Sequence, residues 1–370
     1  MSIGFDATRL ANTATSALRA YDPGHDLPAV RKRFGALIAE LGSNENPLGP
    51  SARTLEAMHL ALNESFRYPD PRGLALKTAL AEHLHVDVEQ IALGNGSHEL
   101  LMLLAQCFAD SAHSVVYSQF GFAVFPVATA ASGAQHICVR ALPGGHADAP
   151  YGHDLLALAR AIRADTRIVY LANPNNPTGT WFDDAGLAAF LAGVPRDVLV
   201  VVDEAYHEYV DAPGLSSALR FAEQYPNLIV THTFSKAYGL AGLRVGYLVA
   251  HASVVAVLER LRESFNVNNV ALAGAEAALA DREHLQRSRE FNNGEREWLR
   301  GEVQSRNYRC LPSQTNFLMI DLGRDASELE RHLFERGVIV RPMGGYGLPQ
   351  TLRISIGSRA ENERLLQALP

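Results

Sequence analysis

The chain has 370 residues, enough for about two domains, and 47% of them are hydrophobic, an ordinary share for large cores. A formal charge of −7 argues against a nucleic-acid or anionic-membrane binder. Three cysteines, Cys107, Cys138 and Cys310, lie far apart without C-x-x-C spacing, which fits a reduced compartment rather than a disulfide framework. No apolar signal region opens the chain, and no stretch reaches the roughly 18 apolar residues of a membrane helix, so a soluble cytoplasmic protein is expected.

Taken in order, residues 1–30 read as an arm ending in the turn Tyr21-Asp22-Pro23-Gly24. Residues 41–50, LGSNENPLGP, are polar and rich in breakers. Their asparagines are either turn formers or amides aimed into a site, and the sequence leaves both readings open. A helix is expected over 51–63, a rigid loop over 67–73 and a second helix over 74–85. A short strand at 91–93 then runs into Gly94-Asn95-Gly96-Ser97-His98-Glu99, which opens an apolar helix to Phe108. Small residues before a helix N-terminus make an anion site from free N–H groups. The bland reading is a tight strand-to-helix turn. A dinucleotide fingerprint is excluded, because Glu99 replaces the third glycine. A strand at 114–117 is followed by the aromatic cluster Phe120–Phe125, which suits a core as readily as a cofactor ring.

A helix at 154–163 and a strand at 167–172 lead to Asn173-Pro174-Asn175-Asn176-Pro177-Thr178-Gly179, a strong turn. The valine run 198–202 indicates a strand covered on both faces, as in a parallel sheet. It ends in Asp203-Glu204-Ala205-Tyr206, where a poorly hydrated carboxylate wants a cationic partner. A third apolar run, 228–230, leads into Thr233-Phe234-Ser235-Lys236, with Arg244 eight residues after the lysine. A Schiff-base lysine must be desolvated enough for its amine to be free, and hydroxyls beside a guanidinium suit a phosphate dianion. This stretch therefore reads as an aldehyde-binding lysine beside a phosphate cup, the demands of pyridoxal phosphate. The competing reading is a surface lysine with Arg244 in an ordinary ion pair. Four strands thus end in polar loops at Gly94, Asn173, Asp203 and Thr233, and ligands gather outside such carboxyl ends. From about residue 266 the pattern changes: helices over 268–306 with a break near Asn292-Asn293-Gly294, strands at 316–321, 338–341 and 352–356, and helices at 326–336 and 360–369. Arg341 and Arg353 fall on or beside these strands, either as surface ion-pair partners or facing a cleft.

These motifs, from Ser43-Asn44-Glu45-Asn46-Pro47 to Leu352-Arg353-Ile354-Ser355-Ile356-Gly357, resemble the fold-type I pyridoxal-phosphate-dependent aminotransferases, and among them the histidinol-phosphate aminotransferase family. The resemblance implies an α/β fold: a large domain (46–265) with a mostly parallel central sheet between helices, a smaller α+β domain (266–370), and an arm (1–45) joining the small domain. It implies that Lys236 carries the cofactor, Asp203 pairs with the ring nitrogen, Tyr206 and Asn176 bond the ring oxygen, and Phe122 stacks on the ring. Gly96, Ser97, His98, Thr233, Ser235 and Arg244 would hold the phosphate. Tyr68 would reach the phosphate of a neighbouring subunit, which implies a homodimer. Arg353 and Arg341 would bind substrate anions, with Asn44 and Asn176 beside them. The freed lysine is the natural base for the α-proton. The expected reaction converts histidinol phosphate and 2-oxoglutarate to imidazole acetol phosphate and glutamate. His98 and Leu48 depart from the pattern and leave the donor open. An aromatic aminotransferase and a phosphothreonine-type decarboxylase compete for this reading. A regulator module would need a DNA-binding domain that some 40 residues before the first motif do not supply, and no H-E-x-x-H or clustered Cys/His supports a metal.

Overall fold

The central element of the computed structural model, which describes residues 6–16, 18, 25–35 and 38–370, is a seven-stranded sheet. The turn expected at Tyr21–Gly24 lies outside the described residues. Strand β1 (Ala39–Glu40) precedes the sheet; β2 (Ile91–Gly94), β3 (Ser114–Ser118), β4 (Gln135–Val139), β5 (Thr166–Ala172), β6 (Leu199–Asp203), β7 (Leu228–Thr233) and β8 (Gly246–Val249) form it in the order β2-β8-β7-β6-β5-β3-β4. Strand β8 runs antiparallel to both its neighbours, and every other pairing in the sheet is parallel. Val200, Val201 and Val202 of β6 are wholly buried, as a strand covered on both faces requires. One apolar cluster, built on Leu100, Phe125 and Tyr170, covers one face; another, built on Leu187, Phe190 and Leu228, covers the opposite one.

A four-stranded sheet follows: β9 (Arg309–Cys310), β10 (Phe317–Asp321), β12 (Arg341–Pro342) and β13 (Thr351–Ser355), ordered β12-β13-β10-β9 and antiparallel throughout. Strand β11 (Val338–Ile339) instead pairs in parallel with β1, tying residues 39–40 to the C-terminal part of the chain. The single strand expected at 338–341 is therefore two short strands with different partners.

The expected helix break at Asn292–Gly294 is corrected: one helix runs unbroken from Arg282 to Ser305. Asn292 is buried and its amide donates to the Thr315 carbonyl, while Glu295 and Arg296 are buried further along the same face. Tertiary contacts thus outweigh the weak helix propensity of Asn-Asn-Gly. The break falls at Asp281, whose side chain accepts from the His284 N–H and caps this helix behind Asn269–Ala280. No helix among the described residues is long and apolar enough to cross a membrane.

Candidate active site

Strands β2, β5, β6 and β7 end at one cavity of about 360 Å3, closed on its far side by β12, β13 and the segment 42–45. Every side chain singled out above lines it except Gly96, which adjoins it, and Tyr68. Lys236 follows β7. Its Nζ donates to the carbonyls of Asn44 at 3.1 Å and Ser43 at 3.4 Å. Burial, and after it the nearby Arg353 charge, pull its ammonium down from 10.5 to about 8. A substantial fraction of the amine is therefore neutral in mildly alkaline solution.

Asp203 ends β6 and is 4% exposed. Burial lifts its carboxyl to about 6, against a hydrogen bond from Thr231 Oγ1 at 3.0 Å that favours the anion. Among the described residues no Lys, Arg or His forms an ion pair with it. Tyr206 sits three residues on, with its hydroxyl 2.9 Å from the donating Asn44 Nδ2 and its ring edge-to-face with Phe317. Burial pushes this phenol up to about 12. Asn176 presents its Oδ1 to Arg353 at 2.6 Å, which leaves its amide hydrogens for other acceptors. Phe122 precedes the helix Val124–Ser132, so the aromatic cluster serves both core and cavity wall.

At the other end, Thr233 Oγ1 donates to Ser235 Oγ at 3.0 Å, and Arg244 donates to Ser235 Oγ at 3.2 Å. Arg244 holds the left-handed conformation, φ 54°, uncommon for a non-glycine residue and worth about 1 kcal/mol or more in strain. The helix Ser97–Phe108 starts here on Gly96, φ 77°, with no side-chain cap on its N–H groups. His98 follows; burial, then Arg244, lower its pKa, so it contributes a neutral ring.

Arg353 is buried and spans Asn176 Oδ1 and the Gly42 carbonyl, 2.9 Å away. Its neighbour on β12, Arg341, lines the same cavity and also a wider one, of about 740 Å3, that opens beside it. Tyr68 lies elsewhere: it is 81% exposed and stacks on Phe265 at 4.7 Å. Sequence reasoning passed over Thr231, Tyr346 and the carbonyls of residues 42–44. Thr231 had a signal, since it stands two residues before Thr233 and so shares its face of β7. Tyr346, in a glycine-rich loop, had none.

The family model described as aminotransferase class I and II matches residues 38–369. Histidinol-phosphate aminotransferase 2 of Pseudomonas aeruginosa is 46% identical over 367 residues, 98% of either chain. Histidinol-phosphate aminotransferase 1 of Nitrosococcus oceani is 44% identical, over 98% of this chain and 96% of its own. The crystal structure of histidinol-phosphate aminotransferase from Sinorhizobium meliloti in complex with pyridoxal-5'-phosphate superposes with a TM-score of 0.87 at 31% identity, covering 97% of this chain and 96% of that one. With a lysine, a buried carboxylate and a cup of hydroxyls and an arginine at the ends of parallel strands, and with relatives matched along nearly their whole length, the chain belongs to the class I and II aminotransferases.

Proposed function

We propose that this aminotransferase uses pyridoxal phosphate to convert histidinol phosphate and 2-oxoglutarate to imidazole acetol phosphate and glutamate, a step of histidine biosynthesis. One observation carries the reading: a single cavity holds a lysine with a lowered pKa, a buried carboxylate, and arginines at both ends. The donor set fits the cofactor. An uncapped helix start, Ser97, Thr233, Ser235 and Arg244 offer a phosphate dianion hydrogen-bond donors and positive charge. A Cβ on residue 96 would lie 2.7 Å from the Arg244 guanidinium, so glycine leaves the space that the cup needs. Asp203, buried at the end of an apolar strand, suits a protonated ring nitrogen.

When bound, the cofactor supplies an aldehyde that takes the donor's amine and a ring that accepts the electron pair left by the α-proton. Lys236 would hold it until the donor's amine replaces the lysine's, and the Lys236 amine freed by that exchange would move the α-proton. Asp203 would offer a negative charge to the ring nitrogen. Tyr206 and Asn176 would offer hydrogens to the ring oxygen, and Phe122 would shield the ring from water. Arg353 and Arg341 bind substrate anions through planar forks that suit phosphate and carboxylate alike, which explains how one pocket serves both half-reactions. Asn44 stands beside them.

The protein acts as a homodimer in the cytoplasm, with Tyr68 of one copy completing the phosphate cup of the other. Supporting this, Leu60, Leu62 and Phe66 are exposed in the same stretch as Tyr68. The division into an arm (1–45), a large domain (46–265) and a small domain (266–370) is consistent with the separate sheets. The test is a single-turnover scan without acceptor, following cofactor absorbance with histidinol phosphate, phenylalanine, tyrosine and phosphothreonine. Histidinol phosphate gives the highest kcat/KM. A faster reaction with phenylalanine replaces the donor assignment, and carbon dioxide from phosphothreonine replaces the reaction.

A further inference from the structure

Residues 42–44 form a strap across the cavity. The Gly42 carbonyl accepts from Arg353, and those of Ser43 and Asn44 accept from Lys236. Asn44 is 1% exposed, with φ 56°, a left-handed conformation that asparagine tolerates better than most residues. Its backbone N–H donates to Ser355 Oγ at 2.7 Å, Ser355 Oγ donates to Asn44 Oδ1 at 3.1 Å, and Asn44 Nδ2 donates to the Tyr206 hydroxyl at 2.9 Å. Asn316 Nδ2 donates to the Asn44 carbonyl and fixes the strap from β10's side.

The direction of this relay follows from its first member. A backbone N–H can only donate, so Ser355 Oγ accepts there, and Asn44 Oδ1 is the one acceptor among the described residues for its single hydrogen. That turns the amide nitrogen, which can only donate, toward Tyr206. The Tyr206 oxygen therefore accepts from Asn44 and must send its own hydrogen elsewhere. Phe317 stands against its ring, and the side left is the cavity that Tyr206 lines.

We infer that Asn44 and Ser355 are positioning residues that aim the Tyr206 hydroxyl hydrogen into the cofactor cavity. The inference rests on the function proposed above, which supplies the acceptor, the cofactor's ring oxygen. The role of Asn44 is then to orient a residue that meets the cofactor. The charged and titratable groups acting on Tyr206 are Arg353, Asp203 and Tyr346, with Lys236 Nζ 5.7 Å from its ring; neutral substitutions at 44 and 355 leave all four in place.

The experiment titrates the absorbance of bound pyridoxal phosphate against pH in wild type, Asn44→Gly, Ser355→Ala, Tyr206→Phe and the double variant Asn44→Gly/Tyr206→Phe. A hydrogen aimed at the ring oxygen favours its anion, so losing it raises the pH midpoint. Tyr206→Phe raises the midpoint by about one pH unit, a tenfold change in the equilibrium. Asn44→Gly and Ser355→Ala move it in the same direction by less, and the double variant moves no further than Tyr206→Phe alone. Glycine accepts the backbone of residue 44, and if that variant does not fold, Ser355→Ala decides alone. Unmoved midpoints, with or without lower thermal stability, overturn the inference, as does full additivity in the double variant. A wild type that takes up no pyridoxal phosphate overturns the proposed function and the inference together; bound cofactor with unmoved midpoints overturns the inference alone.

Discussion

Replacing Lys236 with methionine removes a charge from the cavity while keeping most of the side-chain volume. In the cofactor-free protein, burial and Arg353 lower the ammonium from 10.5 to about 8, a difference of 2.5 units (10.5 minus 8). At about 1.36 kcal/mol per unit this is roughly 3 kcal/mol against the charged form. The side chain is not fully enclosed, and screening by water brings the figure to about 1–3 kcal/mol. The folded value lies below the unfolded one, so between them the unfolded chain holds more protons and wild-type stability rises with pH. Below about 8 both states are protonated and the whole penalty stands. Cofactor-free Lys236→Met is therefore more stable than wild type at neutral pH, and its advantage shrinks as pH rises toward 10.5. With an unfolding entropy of about 0.8 kcal/mol/K for a chain of this length, the thermal midpoint rises by roughly 1–4 °C. Calorimetry on cofactor-stripped proteins, in buffers from neutral to alkaline, measures it. A variant less stable than wild type at neutral pH, or an advantage that does not change with pH, refutes the reasoning.

Asp203→Asn cuts kcat by roughly 100–1,000-fold. Its carboxyl is raised from 3.8 to about 6, so the stability it contributes is lost as pH rises through about 6, and the ionised group costs the cofactor-free fold at neutral pH. The asparagine variant accordingly keeps or raises the thermal midpoint, and turnover near wild type would end the assignment. Mixing Lys236→Ala chains with Tyr68→Phe chains yields heterodimers with one intact site and one doubly altered site, so activity exceeds that of either variant alone. Light scattering that shows a fully active monomer contradicts it.

The strands legible in the sequence were those whose chemistry is unambiguous. Runs such as Val200–Val202 are buried on both faces, and a strand within a covered parallel sheet explains so many branched residues in succession. Strand β4 escaped because it is the sheet's edge: Gln135, His136 and Cys138 are exposed, and no alternation or apolar run marks them. Strand β8 escaped because Gly246 and Tyr247 continue a stretch that its glycines mark as loop. The helix Asp184–Gly193, with Asp183 as its N-cap, is a short run of Ala, Leu and Gly after a proline-rich turn, and it carries no polar face to reveal its period. Asn292-Asn293-Gly294 misled in the other direction, since the contacts that hold the helix there come from Thr315, more than 20 residues away.

The same distinction separates the legible part of the site from the rest. Lys236, Asp203, Ser97 and Asn176 stand at or just beyond the carboxyl ends of parallel strands, so finding the strands locates the chemistry. Their local motifs also carry the functional groups in a fixed order, which makes each identifiable without knowing the fold. Asn44 meets Ser355 across 311 positions and Tyr206 across 162, and no local pattern encodes either contact. Its one trace in sequence is its residue type, because a left-handed backbone favours asparagine among residues with a side chain. That trace is shared with any turn, which is why the turn reading and the site reading could not be separated before the fold was known. The structure joins them: the left-handed turn at Asn44 is what brings its amide to Tyr206 and its carbonyl to Lys236. Tyr68 is the converse case. Its own chain leaves it stacked on Phe265 in the open, so its proposed role depends on a second copy and is a property of the assembly rather than of one fold.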